Sequence, residues 1–277
     1  MEATLTVTTP VSGGLSPETP QRLSCLELRG GNHHATYSAE LPGLDAWVSC
    51  RPLRPAANGG DLYYLSVCSK GAISRVALAD VAGHGETVSR AATRLQEALR
   101  LHADHWDQSL LIRHLNDTFL NGGEGALEYA TAFLVSYYGQ SGELLFTNAG
   151  HPPPLWFKAE TGEWSALRES TPLARSVTDL PLGIISGTEY SQTAVELGKG
   201  DLLILYTDGI SESRNEAGEM LGLRRLLDLA RQLPAGSAGE TGPALLAAVE
   251  SYRGATLAAD DETVVVLQRS AVFESGF

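Results

Sequence analysis

The chain predicts an α+β sandwich, two antiparallel sheets flanked by helices, and three observations carry that expectation. Apolar stretches of strand length run in the order strands, two helices, strands, helices, strand, which is not the regular βαβ rhythm of a doubly wound parallel sheet. Neighbouring strand patterns are joined by short connections rich in Gly, Pro, Asn and Ser, the chemistry of hairpin turns. The 277 residues, 43% of them hydrophobic, supply enough apolar surface for a core of this size.

Residues 1–22 are rich in Thr, Ser, Pro and Gly with little periodicity, which predicts a disordered leader before a single domain over residues 23–277. The first strand is expected at Ala46–Arg51, and a turn through Pro52, Pro55 and Asn58-Gly59-Gly60 leads to a second at Leu62–Cys68. A third, Ser74–Ala79, delivers Asp80 to a Gly83-His84-Gly85 turn. From Glu86 to His102, Val88, Ala91, Ala92, Leu95, Ala98 and Leu99 recur at helical spacing. A second helix covers Asp107 to Leu120, with Asp107 as its N-cap. Tyr129–Tyr138 and Glu143–Asn148 read as a hairpin around Gly139-Gln140-Ser141-Gly142, and Pro154–Lys158 as a short further strand. Asp201–Tyr206 is a continuous apolar strand, followed by helices near Leu221–Leu233 and Gly242–Arg253 and a last strand at Thr263–Leu267.

Charge and cysteine usage exclude several classes of function. A formal net charge of -13 repels a nucleic-acid backbone or an anionic membrane at long range. No apolar run is long enough to span a bilayer and the first residues lack the pattern of a signal peptide, so the chain reads as cytoplasmic. Cys25, Cys50 and Cys68 have no paired metal-binding spacing and read as buried thiols.

The chemistry is carried by aspartates in four short motifs: Gly59-Gly60-Asp61, Asp80-Val81-Ala82-Gly83-His84-Gly85, Thr207-Asp208-Gly209 and Asp260-Asp261-Glu262-Thr263. An Asp beside Gly is most often a plain turn residue. Four of them at the ends of predicted strands are different, because a sheet rim that gathers like charges needs a cation between them. Oxygen donors without thiolates suit Mg²⁺ or Mn²⁺. A phosphatase with an aspartyl-phosphate intermediate would need a DxDx[TV] loop, which is absent.

These motifs, with Ala130-Thr131-Ala132-Phe133, Asn148-Ala149-Gly150-His151-Pro152-Pro153-Pro154 and Pro181-Leu182-Gly183 between them, stand in the order found in bacterial serine phosphatases of the SpoIIE and RsbU type. The chain resembles that branch of the metal-dependent protein phosphatase 2C superfamily from about Asp45 to Arg269. The resemblance implies a binuclear Mn²⁺ or Mg²⁺ site at one end of the sandwich. Asp61 would bridge the ions, Asp80, Asp208 and Asp260 would be further ligands, and Val81 would offer its backbone carbonyl. It implies hydrolysis of phosphoserine or phosphothreonine in a protein by a metal-activated water. By the same analogy the substrate is a phosphorylated regulator such as an anti-sigma-factor antagonist. Oligomeric state stays open, a homodimer among the alternatives.

One departure from the pattern and several lesser candidates accompany this reading. The family pattern is more usually GGDxxD, and Tyr64 occupies the last position; strand alternation puts it on the face opposite Asp61. That substitution is the one observation favouring an alternative, a catalytically impaired binding or regulatory module. Asp261 reads as a residue that supports the ligands or caps a turn rather than as a ligand itself, because two successive acids do not face the same way. His84 and His151 lie in Gly-His turns and are candidates to protonate a leaving seryl oxygen, or simply to stabilise those turns. His102 and His105 read as solvated residues at a helix end. Arg51 and Arg54 precede the first motif and read as surface residues or as candidates to hold a substrate phosphate, the surface role being favoured. The helix from Glu86 follows the Asp80 turn directly, which makes it a candidate regulatory switch.

Overall fold

The computed structural model describes residues 20–24, 27–67, 73–83, 86–102, 107–122, 128–168, 179–233 and 236–270. Its strands are β1 (Gln21–Arg22), β2 (Leu28–His33), β3 (Ala35–Leu41), β4 (Leu44–Arg51), β5 (Asn58–Val67), β6 (Ile73–Val81), β7 (Ala130–Tyr138), β8 (Glu143–Ala149), β9 (Leu155–Lys158), β10 (Glu163–Ala166), β11 (Thr193–Glu196), β12 (Leu202–Tyr206) and β13 (Glu262–Arg269). The helices are α1 (Glu86–Leu101), α2 (Gln108–Gly122), the single turn α3 (Asp208–Ser211), α4 (Gly222–Ala230) and α5 (Ala238–Arg253).

One sheet has seven strands in the order β1-β3-β4-β13-β12-β9-β10, and the other has six in the order β11-β8-β7-β6-β5-β2. Neighbouring strands pair antiparallel, except that β1 runs parallel to β3. Strand alternation sorts the side chains into three apolar layers. Tyr63 and Leu65 of β5, Val76 and Leu78 of β6, Leu203 and Leu205 of β12, and Val265 and Leu267 of β13 fill the gap between the sheets. The opposite faces of β5, β6 and β7 pack Leu62, Tyr64, Ala77, Ala79 and Leu134 in one layer with Ala91, Leu95 and Leu99 of α1, which lies on β5 and β6, and Leu111 and Leu115 of α2, which lies against α1 and β7. On the far side, Ile204, Val264 and Val266 pack against Leu226 of α4 and Leu245 and Val249 of α5. The two-sheet sandwich flanked by helices expected from sequence is the architecture observed.

Local chemistry explains where the helices begin. Asp107 caps α2, its Oδ1 accepting from the Ser109 amide at 2.8 Å and the Leu110 amide at 3.3 Å. Helix α5 begins at Ala238 rather than Gly242, because Ser237 and Glu240 form a capping box that overrides the Gly239, Gly242 and Pro243 signals. Gly242 is needed inside that helix for a steric reason: a Cβ there would lie 2.1 Å from Cε3 of Trp47.

The sequence reading missed β2, β3, β10 and β11. Strand β2 reads Leu-Arg-Gly-Gly-Asn-His, without apolar alternation, and it is a strand because β5 offers it a free edge. Gln21 and Arg22 fall within the expected leader, yet they pair with Ala39 and Glu40, so the sheet begins before residue 23. Residues 1–19 lie outside the described residues.

Candidate metal centre

The four motif aspartates converge because antiparallel pairing brings the right strand ends together. Asp61 lies near the start of β5 and Asp80 near the end of β6, and the two are direct cross-strand partners. Both share the parity of residues lining the gap between the sheets, Tyr63 and Leu65 for one and Val76 and Leu78 for the other. From the facing sheet, Asp208 follows the end of β12 and Asp260 precedes the start of β13, at the same end of the gap. The carboxylates therefore come from both sheets and from four separate motifs.

Their electrostatics show crowding. Asp61 is 2% exposed, and burial, followed by the charge of Asp80, pushes its carboxyl well above the usual range, against a hydrogen bond from Thr207. Asp80 is raised to about 7 by burial and by the charges of Asp208, Asp260 and Asp261. Asp208 is raised by burial and by Asp260 and Glu212, and it shares a hydrogen bond with Asp80. Among the described residues, none of the four forms an ion pair with a cationic side chain. No group of three acidic, His or Cys side chains among them is yet close enough to hold an ion together. The four stand as linked pairs with a shortage of positive charge, and a hard divalent cation fits such an oxygen donor set.

Sequence reasoning missed Thr207, although it stands inside a motif. Its Oγ1 donates to Asp61 Oδ2 at 2.7 Å and accepts from the Thr263 amide at 3.0 Å, which orients Asp61 from the opposite sheet. The Val81 carbonyl lies beside the glycine pair that precedes Asp61: a Cβ at Gly60 would meet that oxygen at 2.8 Å. Asp261 acts as a cap, as its neighbour relationship to Asp260 implied, and its carboxylate accepts backbone amides.

Several candidates are placed elsewhere. Arg51 has the parity of Trp47, so it lies on the α5 face of its sheet rather than in the gap, and its Nη1 pairs with Glu250 at 2.6 Å. It is not part of the carboxylate cluster, and its exposed pairing with Glu250 suits the surface role. Arg54 is exposed in the connection between β4 and β5. His151 is 4% exposed, its Nδ1 lies 2.8 Å from Thr131 Oγ1, and burial lowers it to about 3. A ring held neutral at that depth is a structural residue, not a proton donor near neutrality. His102 stacks on His114 with ring centroids 4.3 Å apart, so it is an inter-helix packing residue rather than a solvated one. His84, His105, Cys25 and Cys68 lie outside the described residues. Cys50 is a buried thiol.

Tyr64 is fully buried among the residues packed on α1, and its hydroxyl donates to the Leu99 carbonyl at 3.3 Å. It faces away from Asp61, as strand alternation requires.

A helix-flanked double sheet with acidic strand ends gathered in the gap is the protein phosphatase 2C fold. Solved structures agree. The RsbU and RsbW domains of Rv1364c from Mycobacterium tuberculosis superpose with a TM-score of 0.67 at 25% identity, covering 83% of this chain and 62% of that one. The phosphatase 2C domain of SpoIIE from Bacillus subtilis gives 0.66 at 19% identity, over 82% and 63%. Within that fold the chain belongs to the stage II sporulation protein E (SpoIIE) family, whose model matches residues 71–270. The phosphoserine phosphatase RsbU of Bacillus subtilis is 26% identical over 177 residues, 63% of this chain and 50% of that protein. This chain thus spans about half the length of that curated relative. RsbX, which has 16% identity and a TM-score of 0.61 over 85% of this chain and 100% of its own, was solved in complex with magnesium.

Proposed function

We propose that the chain is a metal-dependent protein phosphatase domain that hydrolyses phosphoserine or phosphothreonine in a partner protein, in the manner of partner-switching signalling. The observation that carries this reading is the convergence of Asp61, Asp80, Asp208 and Asp260 from both sheets without a cationic partner among the described residues, in a chain of the SpoIIE family. Asp61 would bridge, Asp80, Asp208 and Asp260 would complete the ligand set, and the Val81 carbonyl would add a backbone oxygen. A divalent ion held there, Mn²⁺ or Mg²⁺, brings the pKa of water towards neutrality and offsets charge on phosphoryl oxygens.

The remaining work falls to the chain's own residues. Thr207 holds Asp61 in one orientation through its hydroxyl. The gap between the sheets beyond the carboxylates is packed with Tyr63, Leu78 and Leu205. Arg54, exposed in the β4–β5 connection, is the cation retained for a substrate phosphate. His84 keeps its place as candidate proton donor to the leaving oxygen, on motif position alone. An anti-sigma-factor antagonist is the substrate class that the likeness to RsbU suggests, and the cytoplasm the compartment; among the described residues no helix is long and apolar enough to cross a membrane. Tyr64, buried on the opposite face, lends no support to a binding-only reading.

The test is turnover of p-nitrophenyl phosphate and of a phosphoserine peptide with Mn²⁺, beside EDTA and the Asp61→Asn and Asp208→Asn variants. Metal-dependent turnover that both variants lose is the expected result. A folded wild type that turns over neither substrate with Mn²⁺ would sink the proposal.

A further inference from the structure

Three motifs of the site meet at one residue that is not among the proposed ligands. Asp261 Oδ2 accepts hydrogen bonds from the Gly60 amide at 2.6 Å and the Asp61 amide at 3.4 Å, and Oδ1 accepts from the Leu53 amide at 2.6 Å. The glycines beside it are spaced to admit it. A Cβ at Gly59 would lie 2.2 Å from Asp261 Oδ2, and one at Gly209 would lie 2.0 Å from the Asp261 carbonyl oxygen. Glycine at both positions therefore has a steric reason, separate from any turn and from any bound ion: residue 261 is wedged between them.

We infer that Asp261 is the positioning residue of the metal centre. Its carboxylate fastens the β4–β5 connection and the first residues of β5 to the loop that enters β13, across 201 residues of sequence. That tie sets Asp61 relative to Asp260 before an ion arrives, so less ordering remains to oppose binding. Hydrogen bonds from backbone amides to a carboxylate are charge-assisted, which suits a tie that must hold a like-charged cluster together. Asp260 is the exposed member of the pair, and it accepts a bond from the Asp261 amide at 2.8 Å. The inference rests on the metal-centre reading of the four aspartates.

The experiment measures Mn²⁺ binding by calorimetry on the full chain, together with amide hydrogen exchange at Leu53 and Gly60 in EDTA, for wild type, Asp261→Ala, Asp261→Asn and Gly59→Ala. In Asp261→Ala both amides should exchange faster without metal, and Mn²⁺ affinity should fall about 10- to 100-fold with the same number of ions bound at saturation. Asp261→Asn keeps one acceptor oxygen and should fall between. Gly59→Ala drives a methyl group into the carboxylate from the other side and should weaken affinity in the same direction, so the comparison survives if the alanine variant fails to fold. Wild-type affinity in Asp261→Ala overturns the inference, as does loss of one bound ion with unchanged exchange, which would make Asp261 a direct ligand. Wild-type protein that binds no Mn²⁺ overturns the metal-centre reading and this inference with it.

Discussion

Replacing Thr207 with valine removes one hydroxyl at nearly constant volume, at a fully buried position that joins the two sheets. Two hydrogen bonds disappear, the one donated to Asp61 Oδ2 at 2.7 Å and the one accepted from the Thr263 amide at 3.0 Å. A lost hydrogen bond contributes about 1 kcal/mol, and an amide left buried without an acceptor costs about 1–3 kcal/mol, so the variant should lose about 2–4 kcal/mol. Thr207→Ser retains the hydroxyl and drops one methyl group, for about 1 kcal/mol. Urea unfolding in EDTA reads both, and calorimetry with Mn²⁺ should show affinity falling about tenfold in the valine variant alone, because Asp61 has lost what orients it. Valine and serine variants with the same urea midpoint and the same Mn²⁺ affinity would refute the claim that the hydroxyl, rather than the shape of the side chain, holds Asp61.

Tyr64→Phe should cost about 1 kcal/mol in urea unfolding through the lost bond to Leu99 and leave Mn²⁺ affinity unchanged. Tyr64→Asp, which restores the commoner family residue, should fail to strengthen metal binding and should destabilise the fold by burying a carboxyl against α1, which thermal unfolding will show. Arg253 and Glu262 form an ion pair with both side chains more than nine-tenths buried. Arg253→Met strands Glu262 and should cost about 3–5 kcal/mol, whereas changing both residues to methionine should recover most of it, read as urea midpoints. His151 is lowered from 6.5 to about 3 by burial, so between those values the unfolded chain binds a proton that the folded chain refuses. Stability should therefore fall as pH drops below 6.5, by up to about 1.4 kcal/mol per pH unit, and a pH series of urea midpoints should be flatter in His151→Gln.

Much of the fold is visible in linear order because its central strands are local statements of hydrophobicity. Leu202–Tyr206 and Thr263–Leu267 are apolar on both faces, since each is covered by the other sheet on one side and by helices on the other. Periodicity places α1 and α2 for the same reason, one stripe of α1 being buried on β5 and β6 and one of α2 against α1 and β7. The strands at or next to the sheet edges escaped. Strands β2, β3, β10 and β11 owe their conformation to a partner offering free backbone groups, and Thr193–Glu196 is alternately half-buried and exposed with nothing in its residues to separate it from loop. Helix α5 was cut short because three breaker residues near its start outweighed a capping box.

At the site the division falls between identity and geometry. The four aspartates, their order and the departure at Tyr64 could be named from short motifs, because each motif is contiguous and its turn chemistry is local. That Arg51 turns to α5, that His151 is sealed and neutral, and that Thr207 and Asp261 hold Asp61 depend on which strand ends face one another. Those facings follow from pairing between segments as much as 208 residues apart, as Leu53 and Asp261 are. No local pattern encodes such a separation. It is set by burial of the strands that carry the motifs, so the chemistry is written in the chain while its spacing is written in the packing of the two sheets.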